Sequence, residues 1–197
     1  MRPRKRVLRC ELSGEELHRH VERLYGKEAL EALAGYIPLY CSGGFTEVYL
    51  LRQQLLDAVR SLMASGRVPY YSGLYAGRLR TRRPLFIPSH LLVEKLYDRL
   101  GKPVRAFAAS EQGIKVLMYG KDLLKESLVS CYEPIEVGEV VSVLGPDRRV
   151  YAIGLSEISR CSELGRLSRV QVVARTIFDL GWYLRGGTIP REPKYRV

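Results

Sequence analysis

Glycine and lysine stand together where an apolar run ends, in the stretch Lys115–Ser127 (KVLMYGKDLLKES). We interpret the apolar run as a strand and the leucine-rich segment after Lys121 as a helix. Strand, glycine, lysine and helix in that order are typical of a phosphate-binding loop. Such a loop also needs a glycine five residues before the Gly-Lys pair and a Ser or Thr after the lysine. The sequence has Lys115 and Asp122 there, so we do not expect a nucleotide-binding loop.

Other side chains that could do catalysis lack partners in the sequence. His18 and His20 lie two apart on a predicted helix, so they do not share a face, and His90 has no evident partner. No G-x-S-x-G is present, and no G-x-G-x-x-G follows a strand. Asp98 in YDRLGK resembles the aspartate of pseudouridine-forming enzymes, but it falls inside an amphipathic helix rather than a loop. We therefore expect no catalytic residue and no cofactor.

The four cysteines are widely separated, at Cys10, Cys41, Cys131 and Cys161. No C-x-x-C occurs and the chain has three histidines, so we expect no zinc or other metal site. The N-terminal stretch MRPRKRVLRCEL lacks the apolar core of a signal peptide. We expect reduced, partly buried thiols in an intracellular protein.

The charge balance points to a polyanionic partner. The 197 residues carry a net charge of +11, and most of the 32 basic side chains are arginine. Guanidinium groups suit phosphate, so nucleic acid is the favoured partner. No amphipathic basic helix is predicted and no apolar stretch approaches the ~20 residues that a bilayer requires, so we expect no membrane contact.

Basic and aromatic residues are interleaved at two places. The first cluster is Arg78, Arg80, Arg82 and Arg83, among Tyr70, Tyr71 and Tyr75; the second is Arg185, Arg191, Lys194 and Arg196, after Trp182 and Tyr183. Such a pattern can bind phosphates and stack bases. The alternative for the first cluster is a solvated strand face whose tyrosines pack on a helix.

The first half of the chain alternates helices and hairpins. Ser13 and Glu16 form a predicted capping box before a helix that reaches about Tyr25. A glycine-rich turn at 42–44 joins two predicted strands, and Ser89 caps a later helix. Exposed antiparallel strands are predicted between 67 and 88.

The second half is richer in short strands. GEVVSVLG, RRVYAIGLS and RVQVVARTIF are separated by turn residues, and this spacing predicts a small β-barrel. The chain therefore divides into an N-terminal antiparallel α/β domain at residues 1–108 and a C-terminal barrel domain at 109–197. The fold class is α+β.

GIKVLMYGKDLLKESL, IEVGEVVSVL and RVYAIGLS together resemble a PUA domain, an RNA-binding barrel. Glu139 stands where that family usually has an aspartate. The resemblance implies that the turn at Gly120 and Lys121 opens an RNA-facing helix, which also carries Lys125. With SEQGIKVLMYGKDLLKESL, FDLGWYLR and GLYAGRLRTRRPLFIPSHLLVEKLYDRLGKPVR, the chain more specifically resembles the Nip-seven (nuclear import protein seven) family of ribosome-assembly factors, in an archaeal-type form.

This resemblance implies a non-catalytic factor in large ribosomal subunit biogenesis and pre-ribosomal RNA processing. It implies binding to single-stranded, often uridine-rich RNA, and contacts with other assembly factors including the exosome. Basic residues at the end of the PUA domain are the implied RNA ligands. Arg185 falls on the arginine of the motif YLR, while Arg191, Lys194 and Arg196 match by being basic and adjacent.

An RNA-modifying enzyme of the pseudouridine synthase or methyltransferase type is the alternative, with the PUA domain delivering its substrate. That function requires a catalytic-aspartate loop, a methyl-donor loop or a zinc site, and we find none in residues 1–108. An N-terminal sheet that docks other proteins is compatible with the first function. We expect a cytoplasmic protein in an archaeon and a nucleolar or nuclear one in a eukaryote.

Overall fold

The chain forms two compact units, Met1–Leu100 and Gly101–Val197, in a computed structural model that describes residues 9–42, 45–67, 72–80 and 85–185. The sequence-based boundary between 108 and 109 lies eight residues later. The difference arises because the strand Ala106–Ala109 pairs inside the second unit. The predicted α+β class is confirmed.

In its described residues, the first unit combines an antiparallel sheet with helices. The strands, in sheet order, are β1 (Arg9–Leu12), β2 (Tyr36–Ser42), β3 (Thr46–Arg52), β4 (Leu74–Arg80) and β5 (Leu85–Pro88). The helices are α1 (Glu15–Tyr25), α2 (Gln53–Ala64) and α3 (His90–Leu100), with a 3-10 helix at Lys27–Leu33. The predicted hairpin β2–β3 is present, and the antiparallel strands predicted between 67 and 88 are β4 and β5. The prediction that these strands are exposed is wrong, because most of their described residues are buried or half-buried.

The second unit is a curled, half-barrel sheet with strands in the order β7-β11-β10-β9-β6-β8. The strands are β6 (Ala106–Ala109), β7 (Leu123–Leu124), β8 (Leu128–Tyr132), β9 (Val140–Leu144), β10 (Val150–Ser156) and β11 (Val172–Asp179). The helices are α4 (Glu111–Met118) and α5 (Gly181–Leu184), with 3-10 helices at Lys125–Ser127 and Cys161–Arg166. Among the described residues, no helix is long and apolar enough to cross a membrane.

Two predicted helix caps have different outcomes. The capping box at Ser13 is wrong, because the Ser13 N–H donates to the Pro38 carbonyl and extends the β1–β2 pairing by one residue. Helix α1 therefore begins after Gly14, without a side-chain cap. The Ser89 cap is confirmed, since its hydroxyl accepts the Leu92 N–H at 3.1 Å and donates to the Tyr75 carbonyl at 2.6 Å.

The order of elements around Gly120 is the reverse of the predicted one. The apolar residues before it belong to α4, which is capped by the Ser110 hydroxyl, so the predicted strand at 115–119 is wrong. Gly120 has a φ of 82°, its N–H donates to Leu117, and the Lys121 N–H donates to Val116. This pair of bonds is a Schellman motif, which ends a helix at a left-handed glycine. The glycine-lysine turn thus closes a helix and leads into the short strand β7.

A close backbone contact joins the end of α4 to the start of α5. A Cβ atom added to Gly181 would lie 1.9 Å from the Met118 carbonyl oxygen and 2.6 Å from its Cα. Only glycine fits at this position, because the neighbouring atoms are backbone and cannot rotate away. The contact places α5 against the turn at Gly120.

All four cysteines form disulfides, Cys10–Cys41 and Cys131–Cys161, so the prediction of reduced thiols is wrong. The pairing of β1 with β2 brings Cys10 and Cys41 together, although 31 positions separate them in sequence. The 3-10 helix after β10 brings Cys161 to Cys131, 30 positions away. Closing a loop of this length stabilises a domain by about 3–4 kcal/mol through the entropy of the unfolded chain.

We expect the purified protein to contain both bridges. Peptide mapping after alkylation of denatured but unreduced protein should give two linked peptide pairs, Cys10 with Cys41 and Cys131 with Cys161. A sample that is reduced first serves as the control and should be alkylated at all four positions. Alkylation of all four thiols in the unreduced sample would contradict the pairing.

Replacing Gly181 by alanine should lower the free energy of unfolding by about 2–3 kcal/mol, because two backbone segments must separate. Urea unfolding followed by the fluorescence of Trp182, the single tryptophan of the chain, measures this change where it occurs. Gly165→Ala is the matched control, since an added Cβ there meets no atom within 4 Å. Equal stability of the two variants would show that the contact is not a constraint.

Candidate nucleic-acid interface

Arg185, the first predicted RNA ligand, is tied to the interior of the second unit. Its Nη2 atom lies 3.1 Å from Oδ1 of Asp179, which is 1% exposed, and its Nη1 donates to the Met118 carbonyl. Removing one partner of a buried ion pair typically costs several kcal/mol, so the guanidinium stabilises the fold here. Arg185 therefore helps to hold α5 on α4, and its role in RNA binding stays a prediction.

The turn that carries Lys121 is fixed by polar contacts with β11. The Asp122 carboxylate accepts the Thr176 N–H at 2.9 Å, and the Thr176 hydroxyl donates to the Lys121 carbonyl, also at 2.9 Å. Asp122 thus occupies the position where a phosphate-binding loop would have Ser or Thr, and it serves to pin the turn to the sheet. The backbone of this turn is consequently rigid.

The ammonium groups of Lys121 and Lys125 are the free cations of this turn. Lys121 is exposed and Lys125 is half-buried. Within the described part of the chain, neither forms an ion pair with a carboxylate. The backbone N–H of Lys125 donates to the Gln171 carbonyl at 2.8 Å, so this residue is also anchored to the sheet. Lys121 precedes the 3-10 helix at Lys125–Ser127, and Lys125 begins it. The longer helix predicted to carry both lysines is therefore wrong.

The structure brings together part of the predicted set. Arg185 lies near the turn that carries Lys121, because it donates a hydrogen bond to the carbonyl of Met118, three residues before Lys121. The other predicted ligands of the C-terminal cluster lie outside the described residues: Arg191, Lys194 and Arg196.

Tyr119 was missed from the sequence and lies at the same turn, with 76% of its surface exposed. The strand predicted at 115–119 contains Tyr119 as one of several apolar residues, so it gave no sign that this side chain is exposed. The spacing of Ser110, Ile114 and Leu117 was the available signal, because a serine cap followed by apolar residues three apart predicts a helix. A helix that ends at Gly120 leaves the residue before the glycine at its exposed end.

The basic and aromatic strand β4 of the first unit is largely occupied by internal contacts. Nε and Nη2 of Arg78 donate to one Glu47 oxygen at 2.9 and 2.7 Å, and the Tyr75 hydroxyl donates to the other. Burial, followed by the negative charge of Glu47, raises the pKa of Tyr75. This arrangement favours the packed strand face over an RNA-binding face. Tyr70, Tyr71, Arg82 and Arg83 lie outside the described residues.

The remaining candidates for catalysis are dispersed. The Nδ1 of His18 bonds the Gly14 carbonyl, and His20 stacks on Phe86 with ring centroids 5.7 Å apart. Burial lowers the pKa of His90, and Asp98 is exposed on α3. Within the described ranges, no three His, Cys, Asp or Glu side chains are grouped so that they could hold a metal ion.

Glu139, the departure from the usual aspartate, has a structural partner in this chain. Its carboxylate accepts a hydrogen bond from Arg105, whose side chain is 11% exposed. The pair links the chain entering β6 to the residue before β9, and the Ser142 N–H adds a bond to the Arg105 carbonyl at 3.1 Å. Glu139 and Arg105 therefore contribute to the sheet rather than to the candidate interface.

Known proteins show the same domain and the same fold. Residues 105–188 match the family description of the UPF0113 PUA domain. A UPF0113 protein of Aeropyrum pernix is 29% identical over 147 residues, which cover 74% of this chain and 72% of that protein.

Two solved structures show the fold alone, because each is only 14% identical to this chain. A hypothetical protein of Pyrococcus horikoshii superposes with a TM-score of 0.64, over 87% of this chain and 94% of that one. A conserved PUA-domain protein of Thermoplasma acidophilum superposes with a TM-score of 0.55, over 92% of this chain and 100% of that one. Residues 105–188 of this chain are therefore a PUA domain, a domain whose proteins generally bind RNA.

Proposed function

We propose that this protein is a non-catalytic RNA-binding factor of large ribosomal subunit assembly. It binds single-stranded RNA, with a preference for uridine-rich segments, through its PUA domain. The observation that carries RNA binding is the pair Lys121 and Lys125, whose ammonium groups project without carboxylate partners in the described residues from a turn pinned to the sheet. Lysine side chains that contact phosphates release the counterions condensed on them, which favours binding.

The role in ribosome assembly rests on the sequence resemblance to the Nip-seven family. The partners that it implies are precursor ribosomal RNA, other assembly factors and the exosome. The same resemblance gives the proposed location, the cytoplasm of an archaeon or the nucleolus or nucleus of a eukaryote.

The salt dependence of RNA binding tests the proposed interface. Each phosphate contact on a single strand contributes about 0.7 to the slope of log affinity against log salt. Lys121→Ala with Lys125→Ala should therefore lower the slope by roughly 1.4, and alanine at Arg191, Lys194 and Arg196 should lower it by roughly 2. Titration of a fluorescent uridine oligonucleotide at several salt concentrations measures both changes.

Arg19→Ala with Arg23→Ala is the matched control, because both residues are exposed on helix α1 of the first unit. Its slope should equal that of the unsubstituted protein. Arg185 is left intact in every variant, since its loss would remove the guanidinium that pairs with the buried Asp179. A reduced slope in the control and unchanged slopes in the other two variants would move the interface to the first unit.

We also propose that the protein does not modify RNA. Support comes from the sequence of residues 1–108, which contains no catalytic-aspartate loop, methyl-donor loop or zinc motif. Incubation with precursor ribosomal RNA, with and without a methyl donor, should leave the nucleoside composition unchanged in mass spectrometry. A stoichiometric gain of pseudouridine or methyl groups would instead establish an RNA-modifying enzyme.

A further inference from the structure

Tyr119 presents a large aromatic ring to solvent from a fixed backbone. Its surface is 76% exposed, whereas Tyr25, Tyr40 and Tyr97 are 6%, 2% and 8% exposed. A tyrosine can remove 150–250 Å² from water when it is buried, so leaving one in solvent forgoes a substantial stabilisation. The exposed ring is therefore available to a ligand that would cover it.

The backbone that carries Tyr119 is held from both sides. Its N–H donates to the Val116 carbonyl at 3.1 Å, as the last turn of α4 closes on Gly120. The preceding residue, Met118, is in contact with Gly181 and accepts a hydrogen bond from Arg185. The ring is thus mounted on a rigid corner, which reduces the entropy that a ligand must remove on binding.

Residues close to Tyr119 in the chain, and at the end of α5, include an exposed cation and an exposed apolar side chain. Lys121, two residues after Tyr119, is exposed. The guanidinium of Arg185 donates a hydrogen bond to the carbonyl of Met118, the residue before Tyr119. Leu184, the neighbour of Arg185, is 77% exposed. Asp122, the nearest carboxylate in sequence, accepts the Thr176 N–H and is only partly exposed.

We propose that Tyr119 stacks on one unpaired base of the bound RNA, while Lys121 contacts a phosphate next to that base. An aromatic face beside a cation matches a nucleotide, which joins a flat ring to an anionic group. The exposed ammonium group of Lys121, two residues from the ring, favours a nucleotide over an apolar protein segment as the occupant. This inference rests on the proposed function and adds the stacking residue to it.

Two substitutions at position 119 test whether the ring stacks on a base. Tyr119→Ala should weaken binding to a single-stranded uridine oligonucleotide by roughly tenfold, because the stacking contact with one base is lost. It should leave the salt slope unchanged, since no phosphate contact is lost. Tyr119→Phe keeps the ring and should bind within about twofold of the unsubstituted protein. Val137→Ala, which trims a residue of the same domain that is 60% exposed, is the control and should change nothing.

An abasic oligonucleotide of the same length provides the decisive comparison. It has phosphates but no bases, so the unsubstituted protein and Tyr119→Ala should bind it equally. Normal binding of the uridine oligonucleotide by Tyr119→Ala, or an equal loss on both oligonucleotides, would overturn stacking but leave RNA binding intact. Failure of the unsubstituted protein to bind either oligonucleotide would overturn the proposed function itself.

Discussion

The candidate interface depends on one approach of backbone to backbone, where Gly181 meets the carbonyl of Met118. Because α5 can come this close, Arg185 reaches that carbonyl and pairs with the buried Asp179. The same contact fixes the end of α4, and with it the turn that carries Tyr119 and Lys121. A side chain at position 181 would separate the elements that position the site, although it would touch no RNA itself.

The net charge of +11 is a poor guide to where a polyanion binds, because several arginines form ion pairs with carboxylates of the protein itself. Arg78, Arg105, Arg175 and Arg185 each pair with a carboxylate of the same unit. Planar guanidinium groups suit such fixed, multiply bonded partners. Lys121 and Lys125 form no such pair in the described residues, and we propose them as contacts for the RNA.

The sequence predicted the antiparallel strands well, because their alternation and turn residues are local signals. A strand was predicted in place of α4 because the apolar run KVLM suits a strand and a helix equally well. The cap at Ser110, which lies outside this run, decides between the two. Likewise, Ser13 was predicted to cap α1, but its backbone N–H donates to the carbonyl of Pro38 in β2 instead. The disulfides and the contact at Gly181 join residues far apart in sequence, so spacing alone carried no signal for them. Lys121, Lys125 and Arg185 could be named from motifs, whereas Tyr119 required the correct end of α4.

We propose that RNA lies on the corner formed by α4, α5 and the turn at Gly120. Photocrosslinking to an oligonucleotide that contains 4-thiouridine, followed by mass spectrometry of the attached peptides, locates the RNA directly on the full-length protein. The account predicts that the main crosslinks fall on peptides containing residues 119–125. Crosslinks confined to residues 9–100 would contradict it and would assign RNA binding to the first unit.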